Sequence, residues 1–161
     1  MAYRTHNCNQ LRKEDAGKKV KICGWLDSKR DKGGLLFAVL RDYYGVTQVV
    51  ATEEPCLSQL RDIPTESTVS VEGTVVLRSS PNDKLPTGLI EIVPEKVEVL
   101  GRRTTQALPF EVSHSTEARE DIRLAYRFLD LRNPAVKDKI VLRAQIVAEL
   151  RRLMTEQGFL E

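Results

Sequence analysis

Residues 23–50 contain the side chains best suited to binding a ligand, and the chemistry they offer is that of nucleic-acid recognition. Arg30 and Lys32 lie in a short charged stretch, and such cations can neutralise phosphates. Phe37 follows in an apolar run, and an exposed aromatic ring gives an unpaired base a stacking surface worth ~1–3 kcal/mol. Gln48 has an amide that both donates and accepts hydrogen bonds, so it can distinguish one base edge from another.

A plainer interpretation of these residues stays open at this point. Charged hairpin loops and buried phenylalanines are common, so Arg30 can be an ordinary solvated side chain and Phe37 a core residue. Val39 shares a face with Phe37 in the predicted strand, and this apolar neighbour also suits burial. Gln48 can equally point to solvent without a partner. The residues alone therefore leave binding and structural roles as alternatives.

The chain offers no comparable set of catalytic or metal-binding residues. Its two histidines, His6 and His114, lie in polar segments, and it has neither a phosphate loop of P-loop spacing nor a nucleophile beside a base. Cys8, Cys23 and Cys56 are far apart and form no CxxC pair, which argues against a zinc site and for a reducing compartment. We expect no catalytic residues, no metal and no cofactor in this chain.

Length and composition limit the size of the protein and the source of any affinity for nucleic acid. The 161 residues suffice for one domain with an appendage, and the net charge is only +2. Any affinity for nucleic acid must therefore come from local clusters of charge. No apolar run reaches the ~18 residues of a membrane span, and the N-terminus resembles neither a signal nor a transit peptide. We expect an intracellular protein without a membrane segment.

The elements that must position Arg30, Phe37 and Gln48 are strands of a small barrel. Period-two alternation predicts Val20, Ile22 and Leu26 on the core face of the first strand. The order of five strands with a helix between the third and fourth is that of the OB fold, which binds nucleic acid through strands 2 and 3 and two loops. Those loops are predicted at residues 27–34, with solvated side chains, and 78–88. The strands are predicted at residues 20–27, 35–41, 46–51, 67–78 with a bend or bulge at Gly73, and 89–99. The short helix is predicted after Pro55.

The chain becomes helical after a linker that follows Gly101. A helix is predicted over Thr116–Arg132, and Asn133 followed by Pro134 ends it and begins another that runs to about Gln157. The fold class is therefore mainly β with C-terminal helices: a five-stranded OB barrel, a linker and two helices. The last helix has an apolar stripe with no obvious partner in the chain, formed by Val136, Ile140, Ala144, Val147, Leu150 and Met154.

Several ordered segments resemble the N-terminal part of bacterial-type aspartyl-tRNA synthetases, the kind also used in mitochondria. The likeness covers essentially the whole chain, and segments in matching order are more specific than one loose motif. It implies an OB anticodon-binding domain over residues 1–101, a linker with a helix over 102–133, and the first helix of a class II catalytic domain over 134–161. The segments are RTHNCNQL at 4–11, CGW at 23–25, LRDYYGVTQVV at 40–50, VEGTV at 71–75, PTGLIEI at 86–92 and YRFLDLRNP at 126–134.

The resemblance gives individual residues a role in anticodon binding. It implies that Phe37 stacks on an anticodon base, that Gln48 hydrogen-bonds a base edge, and that Arg30 contacts bases or backbone. Unstacked loop bases held in this way are the usual targets of sequence-specific RNA recognition. The second loop and the fifth strand would complete the site with Arg78, Asn82 and Glu91.

The resemblance also implies partners and cofactors. The partner would be the anticodon stem-loop of tRNA-Asp, and the whole enzyme would be a homodimer that uses ATP and Mg²⁺ to aspartylate tRNA. The class II residues that orient ATP and bind aspartate do not occur up to Glu161. We therefore expect no aspartate-dependent ATP-pyrophosphate exchange from these residues, and an excised or truncated N-terminal part, with a natural free-standing module as the alternative.

Two other functions stay open, together with the compartment. A general single-strand binder would accept any base, because every base has a stacking face. A protein-interaction module would instead use the stripe of the last helix. We expect the bacterial cytoplasm or the mitochondrial matrix, and LRDYYGVTQVV at 40–50 and PTGLIEI at 86–92 favour the mitochondrial branch.

Overall fold

The computed structural model describes residues 3–160, and the chain divides into two compact units, one ending at Thr104 and the other beginning at Thr105. The first unit is a closed five-stranded barrel of order β1-β2-β3-β5-β4. Neighbouring strands are antiparallel except β3 and β5, which are parallel. The predicted OB fold is confirmed. Its elements are β1 (Lys19–Asp31), β2 (Leu36–Arg41), β3 (Val46–Ala51), α1 (Cys56–Asp62), β4 (Thr68–Leu77) and β5 (Ile90–Gly101).

Alternation along the strands decides which side chains enter the barrel. In β2, Leu36, Ala38 and Leu40 are buried, whereas Phe37 and Val39 lie on the opposite face and are half-buried. The prediction that Phe37 faces away from the core is confirmed. The inward faces of the other strands and the apolar face of α1 join the same core, with Val20, Ile22, Leu26, Val49, Leu57, Leu60, Val69, Val71, Val75, Ile90 and Ile92.

The segment before β1 contributes to the core, which its polar sequence did not indicate. Cys8 and Leu11 are fully buried, and burial raises the pKa of the Cys8 thiol. The backbone N–H of Cys8 donates to the Asp42 carboxylate at 3.0 Å, and the Thr47 hydroxyl donates to the Cys8 carbonyl at 2.7 Å. Two isolated apolar residues have no periodicity, so sequence patterns gave no sign of this packing.

The first predicted loop, over residues 27–34, is wrong in extent. β1 continues to Asp31, with a shift of register between Leu26 and Ser28, so only a tight turn from Lys32 to Leu35 remains. Such an irregularity adds twist and lets a strand continue on a new course. The polar residues at the end of β1 pair with β2, and their polarity alone had suggested a loop.

The second unit is helical. A 3₁₀ helix (Val112–Glu117) is followed by α2 (Glu120–Ala125), α3 (Arg127–Asp130) and α4 (Pro134–Glu156). The single helix predicted over Thr116–Arg132 is therefore wrong: the backbone leaves helical geometry at Ala118 and again at Tyr126. The predicted boundary at Asn133 is confirmed, because its side chain accepts a hydrogen bond from the backbone N–H of Ala135 at the start of α4.

A buried carboxylate, that of Asp130, connects the short helices. Asp130 has no exposed surface and accepts from Arg123 at 3.2 Å and from Arg127. Burial alone would raise the pKa of Asp130, but hydrogen bonds from Arg123 and Ser115 outweigh it and lower that pKa. The Asn133 side chain donates to the Ser115 hydroxyl at 3.0 Å. These contacts link the 3₁₀ helix, α2, α3 and the start of α4, and they satisfy the buried polar groups of this unit.

Some predictions lie beyond what the structure tests. Residues 1, 2 and 161 of the predicted domains lie outside the described residues, and the division after residues 101 and 133 stays a prediction. Among residues 3–160, no helix is both long and apolar enough to cross a bilayer.

The bend or bulge predicted at Gly73 is confirmed as a break in strand register, and it gives a test of stability. The register of β4 against β5 shifts between Glu72 and Gly73, and a Cβ atom at Gly73 would lie 2.2 Å from the Val93 carbonyl oxygen. We expect Gly73→Ala to lower the free energy of unfolding by ~1–3 kcal/mol, since backbone must move to relieve this contact. Urea unfolding followed by fluorescence of Trp25 measures the loss.

A second barrel glycine provides the control. A Cβ atom at Gly101 would meet only Thr68, at 3.9 Å, so Gly101→Ala should shift the free energy of unfolding by less than about 0.5 kcal/mol. Equal effects of the two substitutions would show that the close approach of β4 and β5 does not require glycine.

Candidate nucleic-acid interface

A cavity of about 380 Å³ opens on the surface of the barrel beside β2 and β3. It brings together five of the six residues predicted as the site: Arg30, Phe37, Gln48, Arg78 and Glu91. The lining is completed by Ser28, Lys29, Lys32, Val39, Ser79 and Ser80. Residues from β1, β2, β3, β5 and the loop after β4 thus converge on one volume.

Phe37 and Arg30 are paired across neighbouring strands. Their Cα positions are partners in the ladder of β1 and β2, and side chains of such partners lie on the same face of a sheet. The ammonium of Lys32 lies 5.9 Å from the centre of the Phe37 ring, within cation–π range. The half-buried ring therefore has cations beside it that could neutralise the phosphates of a base stacked on the ring.

Gln48 is oriented by a partner on another strand. Its Nε2 atom donates to a carboxylate oxygen of Glu91 at 2.8 Å. A carboxylate can only accept, so the amide nitrogen must face Glu91. One N–H and the carbonyl oxygen of the Gln48 amide remain for a ligand. Glu91, singled out from the sequence as a direct contact, also serves here to fix the Gln48 amide.

Asn82 is the predicted site residue that does not line the cavity. Its backbone N–H donates to the Gly88 carbonyl at 2.9 Å, and its side-chain oxygen accepts from the backbone N–H of Lys84 at 3.2 Å. The Thr87 hydroxyl joins the same loop to β3 by donating to the Val46 carbonyl at 2.7 Å. In this structure Asn82 therefore shapes the loop after β4.

The charge of the cavity comes from cations without acidic partners. Arg30, Lys32 and Arg78 form no ion pair with any residue between 3 and 160. Lys29 differs, because its ammonium donates to backbone carbonyls of the segment that ends α1. Three uncompensated cations against the single carboxylate of Glu91 make the site attractive to an anionic polymer.

The structure adds lining residues that the predicted set of six lacked. Ser79 and Ser80 follow Arg78 in the loop after β4 and offer hydroxyl groups to the cavity. Serines in a loop rich in turn residues have no periodicity that would set them apart. For metals, residues 3–160 contain no group of three or more His, Cys, Asp or Glu placed to hold an ion.

Comparison with protein families identifies this arrangement. A family model described as an OB-fold nucleic acid binding domain matches residues 20–100, which include every lining residue of the cavity and all of the barrel strands except the first residue of β1 and the last of β5. The chain belongs to this family. A second model, of class II tRNA synthetases for D, K and N, matches residues 119–161.

Individual relatives agree with the predicted resemblance. The chain is 49% identical to an aspartate-tRNA(Asp/Asn) ligase of Phenylobacterium zucineum and 42% identical to one of Rickettsia prowazekii. Each match covers 99% of this chain but only 27% of the relative's length. The predicted resemblance to aspartyl-tRNA synthetases is confirmed, for a chain that spans about a quarter of those proteins.

Solved structures of synthetases share the fold. An asparaginyl-tRNA synthetase from Pyrococcus horikoshii, complexed with asparaginyl-adenylate, superposes with a TM-score of 0.79 at 25% identity, over 96% of this chain and 35% of that one. An aspartyl-tRNA synthetase from Entamoeba histolytica gives a TM-score of 0.81 over 91% of this chain and 36% of that one. At 22% identity the second likeness shows the fold alone.

The contact between Gln48 and Glu91 gives a test that needs no ligand. A hydrogen bond to a carboxylate is about twice as strong as a neutral one, so the side-chain amide protons of Gln48 should resonate at distinctive NMR frequencies. Glu91→Ala should move the Gln48 amide resonances toward those of solvated glutamines. Glu98→Ala, which removes an exposed carboxylate from the same strand, is the control. Unchanged Gln48 resonances in Glu91→Ala would contradict the assigned orientation.

Proposed function

We propose that the barrel binds the anticodon loop of tRNA-Asp. The observation that carries this proposal is the convergence of an aromatic ring, an oriented amide and three unpaired cations on one cavity, at Phe37, Gln48, Arg30, Lys32 and Arg78. This is the equipment for stacking an unpaired base, reading its edge and neutralising its phosphates. The relatives named aspartate-tRNA(Asp/Asn) ligase support tRNA as the partner.

Each side chain has a separate part in the proposed complex. One base stacks on Phe37, and its edge meets the free N–H and carbonyl of Gln48, whose β3 position is paired with Val39 on β2. Arg30 and Arg78 lie on different segments around the same cavity, so they suit phosphates on either side of the stacked base. Stacking supplies affinity for every base, whereas the amide supplies discrimination.

The whole protein is proposed to be an aspartate-tRNA ligase. ATP and Mg²⁺ would then supply the chemistry of aspartate activation, as the resemblance to class II synthetases implies. Within residues 3–160 no acidic or histidine cluster fits a metal ion, and the binding proposed for the barrel involves neither ATP nor Mg²⁺. The ligand proposed for the barrel is the anticodon stem-loop alone.

Substitutions at three positions test the anticodon proposal. Phe37→Ala should weaken binding of an aspartate-type anticodon hairpin by ~1–3 kcal/mol whichever base is stacked. Gln48→Ala should mainly reduce the difference in affinity between the cognate hairpin and its single-base variants. Arg30→Ala should weaken all hairpins and reduce the slope of log K against log salt by about 0.7, the share of one phosphate on a single strand. Fluorescence titrations at two salt concentrations measure all three effects.

A control and an asparagine-type hairpin sharpen the comparison. Tyr43→Ala removes an exposed ring from the turn between β2 and β3, away from the cavity lining, and should leave affinity unchanged. Titration with an asparagine-type hairpin tests whether the barrel also binds the anticodon of tRNA-Asn, since the relatives are named aspartate-tRNA(Asp/Asn) ligases. Equal binding of all hairpins by the wild type would favour general single-strand binding over anticodon recognition. Unchanged affinity of Phe37→Ala would refute both of these functions for the cavity.

We further propose that α4 carries a surface for self-association, in keeping with the homodimer that the resemblance implies. Large apolar side chains on α4 have between 38% and 57% of their surface exposed, which is costly in water. They include Ile140, Leu142, Ile146, Val147, Leu150 and Met154. An isologous contact of two such helices would bury this surface on both copies.

A charge placed on this surface tests the association. Leu150→Lys should weaken concentration-dependent dimerisation at least about tenfold, because a lysine in an apolar interface loses hydration without a partner. Gln145→Lys places the same charge on the opposite side of α4 and should have no effect. Sedimentation equilibrium measures both variants. A wild-type chain that stays monomeric at all concentrations would contradict a surface for self-association on α4.

A further inference from the structure

The end of β1 is less well supported by the barrel than the rest of that strand. Residues 19–25 of β1 pair with β4, whereas the last four residues, from Ser28 to Asp31, are paired only with β2. This segment is therefore an edge of the sheet: it is bonded only to β2, which is itself paired with β3, and an edge segment lacks the hydrogen bonds of a second neighbouring strand. Arg30 lies on this edge segment opposite Phe37 of β2, so one residue of the proposed RNA site stands on a segment that needs another support.

Alternation along β1 directs Lys29 and Asp31, the neighbours of Arg30, to the other face of the sheet. Lys29 is paired with Ala38 and Asp31 with Leu36, and both of these β2 residues are buried in the barrel core. Asp31 and the ammonium of Lys29 are therefore on the face from which α1 is reached, although Lys29 also borders the cavity, while Arg30 is on the face of Phe37. The two charged neighbours of Arg30 each contact α1 or the residue that follows it.

Lys29 contacts the C-terminal end of α1. Its ammonium donates to the carbonyl of Ile63 at 2.8 Å, to that of Leu60 at 3.4 Å and to that of Arg61. The last carbonyls of a helix have no partner within the helix and carry partial negative charge, so a cation there satisfies and neutralises them. Burial lowers the pKa of Lys29. Its ammonium is thus committed to α1 and is not free to bind a phosphate.

Asp31 contacts α1 and the tight turn that follows β1. One carboxylate oxygen accepts from Arg61 Nε at 2.6 Å, and the other accepts from the backbone N–H of Gly33 at 3.0 Å. The turn is closed by the Lys32 N–H, which donates to the Leu35 carbonyl at 2.9 Å. Gly33 has a φ of +60°, in the region that favours glycine. One side chain therefore holds both the strand end and the turn.

We propose that α1 acts as a brace for the edge segment of β1, and that Lys29 and Asp31 are positioning residues that hold Arg30 beside Phe37, ready for RNA. This inference rests on the proposed function. Its physical basis is that a site ordered before binding loses less conformational entropy on binding. Neither residue needs to touch the RNA, and Asp31 would repel it.

Because Asp31 is negatively charged, its two possible roles predict opposite changes in RNA affinity when the side chain is removed. If Asp31 only contributes charge, Asp31→Ala removes an anion near the phosphates and RNA binds more tightly. If Asp31 holds the edge segment of β1, Asp31→Ala weakens binding of the aspartate-type hairpin by about two- to fivefold. This is the usual contribution of one partly exposed ion pair. Asp31→Glu keeps the carboxylate and should restore most of the affinity. Tighter or unchanged binding by Asp31→Ala would overturn the proposal.

A matched ion pair elsewhere on β1 is the control. Lys21 and Glu72 lie 2.8 Å apart with exposures similar to those of Asp31 and Arg61, and Glu72 is absent from the cavity lining. Glu72→Ala removes the same charge from the barrel and should leave the affinity for the hairpin unchanged. Amide exchange in the RNA-free protein should be faster at Lys32 and Gly33 in Asp31→Ala only. Equal loss of affinity in both variants would point to a general loss of stability and refute the brace.

Lys29→Met gives a second, independent measurement. Because the ammonium is bound to α1, the variant should weaken RNA binding without changing the slope of log K against log salt, whereas Arg30→Ala should lower that slope by about 0.7. An equal fall in slope for Lys29→Met would show a phosphate contact and overturn its positioning role. Failure of the wild type to bind any hairpin would refute the proposed function itself, a result distinct from each of these.

Discussion

The closure of the barrel is the constraint on which the candidate site depends. β2 is paired on one side with β1 and on the other with β3, so its residues have only two directions available, into the core or out of it. Leu36, Ala38 and Leu40 occupy the core, and Phe37 must therefore stand outside with its ring half-exposed. An aromatic ring in that place costs hydrophobic burial, and binding of a base would recover it. Packing inside the barrel thus determines where stacking can occur outside it.

Electrostatics divides the basic side chains of the barrel into two groups. Arg41 is buried and pairs with Asp27 at 2.7 Å and with Glu66, so its charge is used within the fold. Arg30, Lys32 and Arg78 surround the cavity without such partners among residues 3–160. A net charge of only +2 therefore hides a local excess of positive charge. Buried charges need partners, whereas exposed ones are available to an anionic ligand.

Much of this could be predicted from the sequence because a strand pattern has a simple physical origin. Val20, Ile22 and Leu26 fall on alternate positions of β1, with Lys21, Cys23 and Trp25 on the other face, and the burial of the first three follows from a two-residue period. Contacts between distant segments have no such period. The hydrogen bond from Gln48 to Glu91, the burial of Cys8 and the loop-shaping contacts of Asn82 depend on the folded chain. The resemblance to a family indicated which residues gather, and the structure indicates how they hold one another.

The end of β1 illustrates how polarity alone misleads. Charged residues usually indicate a loop, yet Lys29 and Asp31 belong to a strand and use their charges on α1. The Lys29 ammonium donates hydrogen bonds to carbonyls at the end of α1, and the Asp31 carboxylate accepts one from Arg61. Without these side chains the carbonyls and the arginine would depend on water alone. The same alternation that sends them to α1 sends Arg30 to the side of Phe37. The proposed support and the proposed RNA contact thus lie on adjacent residues, and the direction of each side chain follows from its place in the ladder.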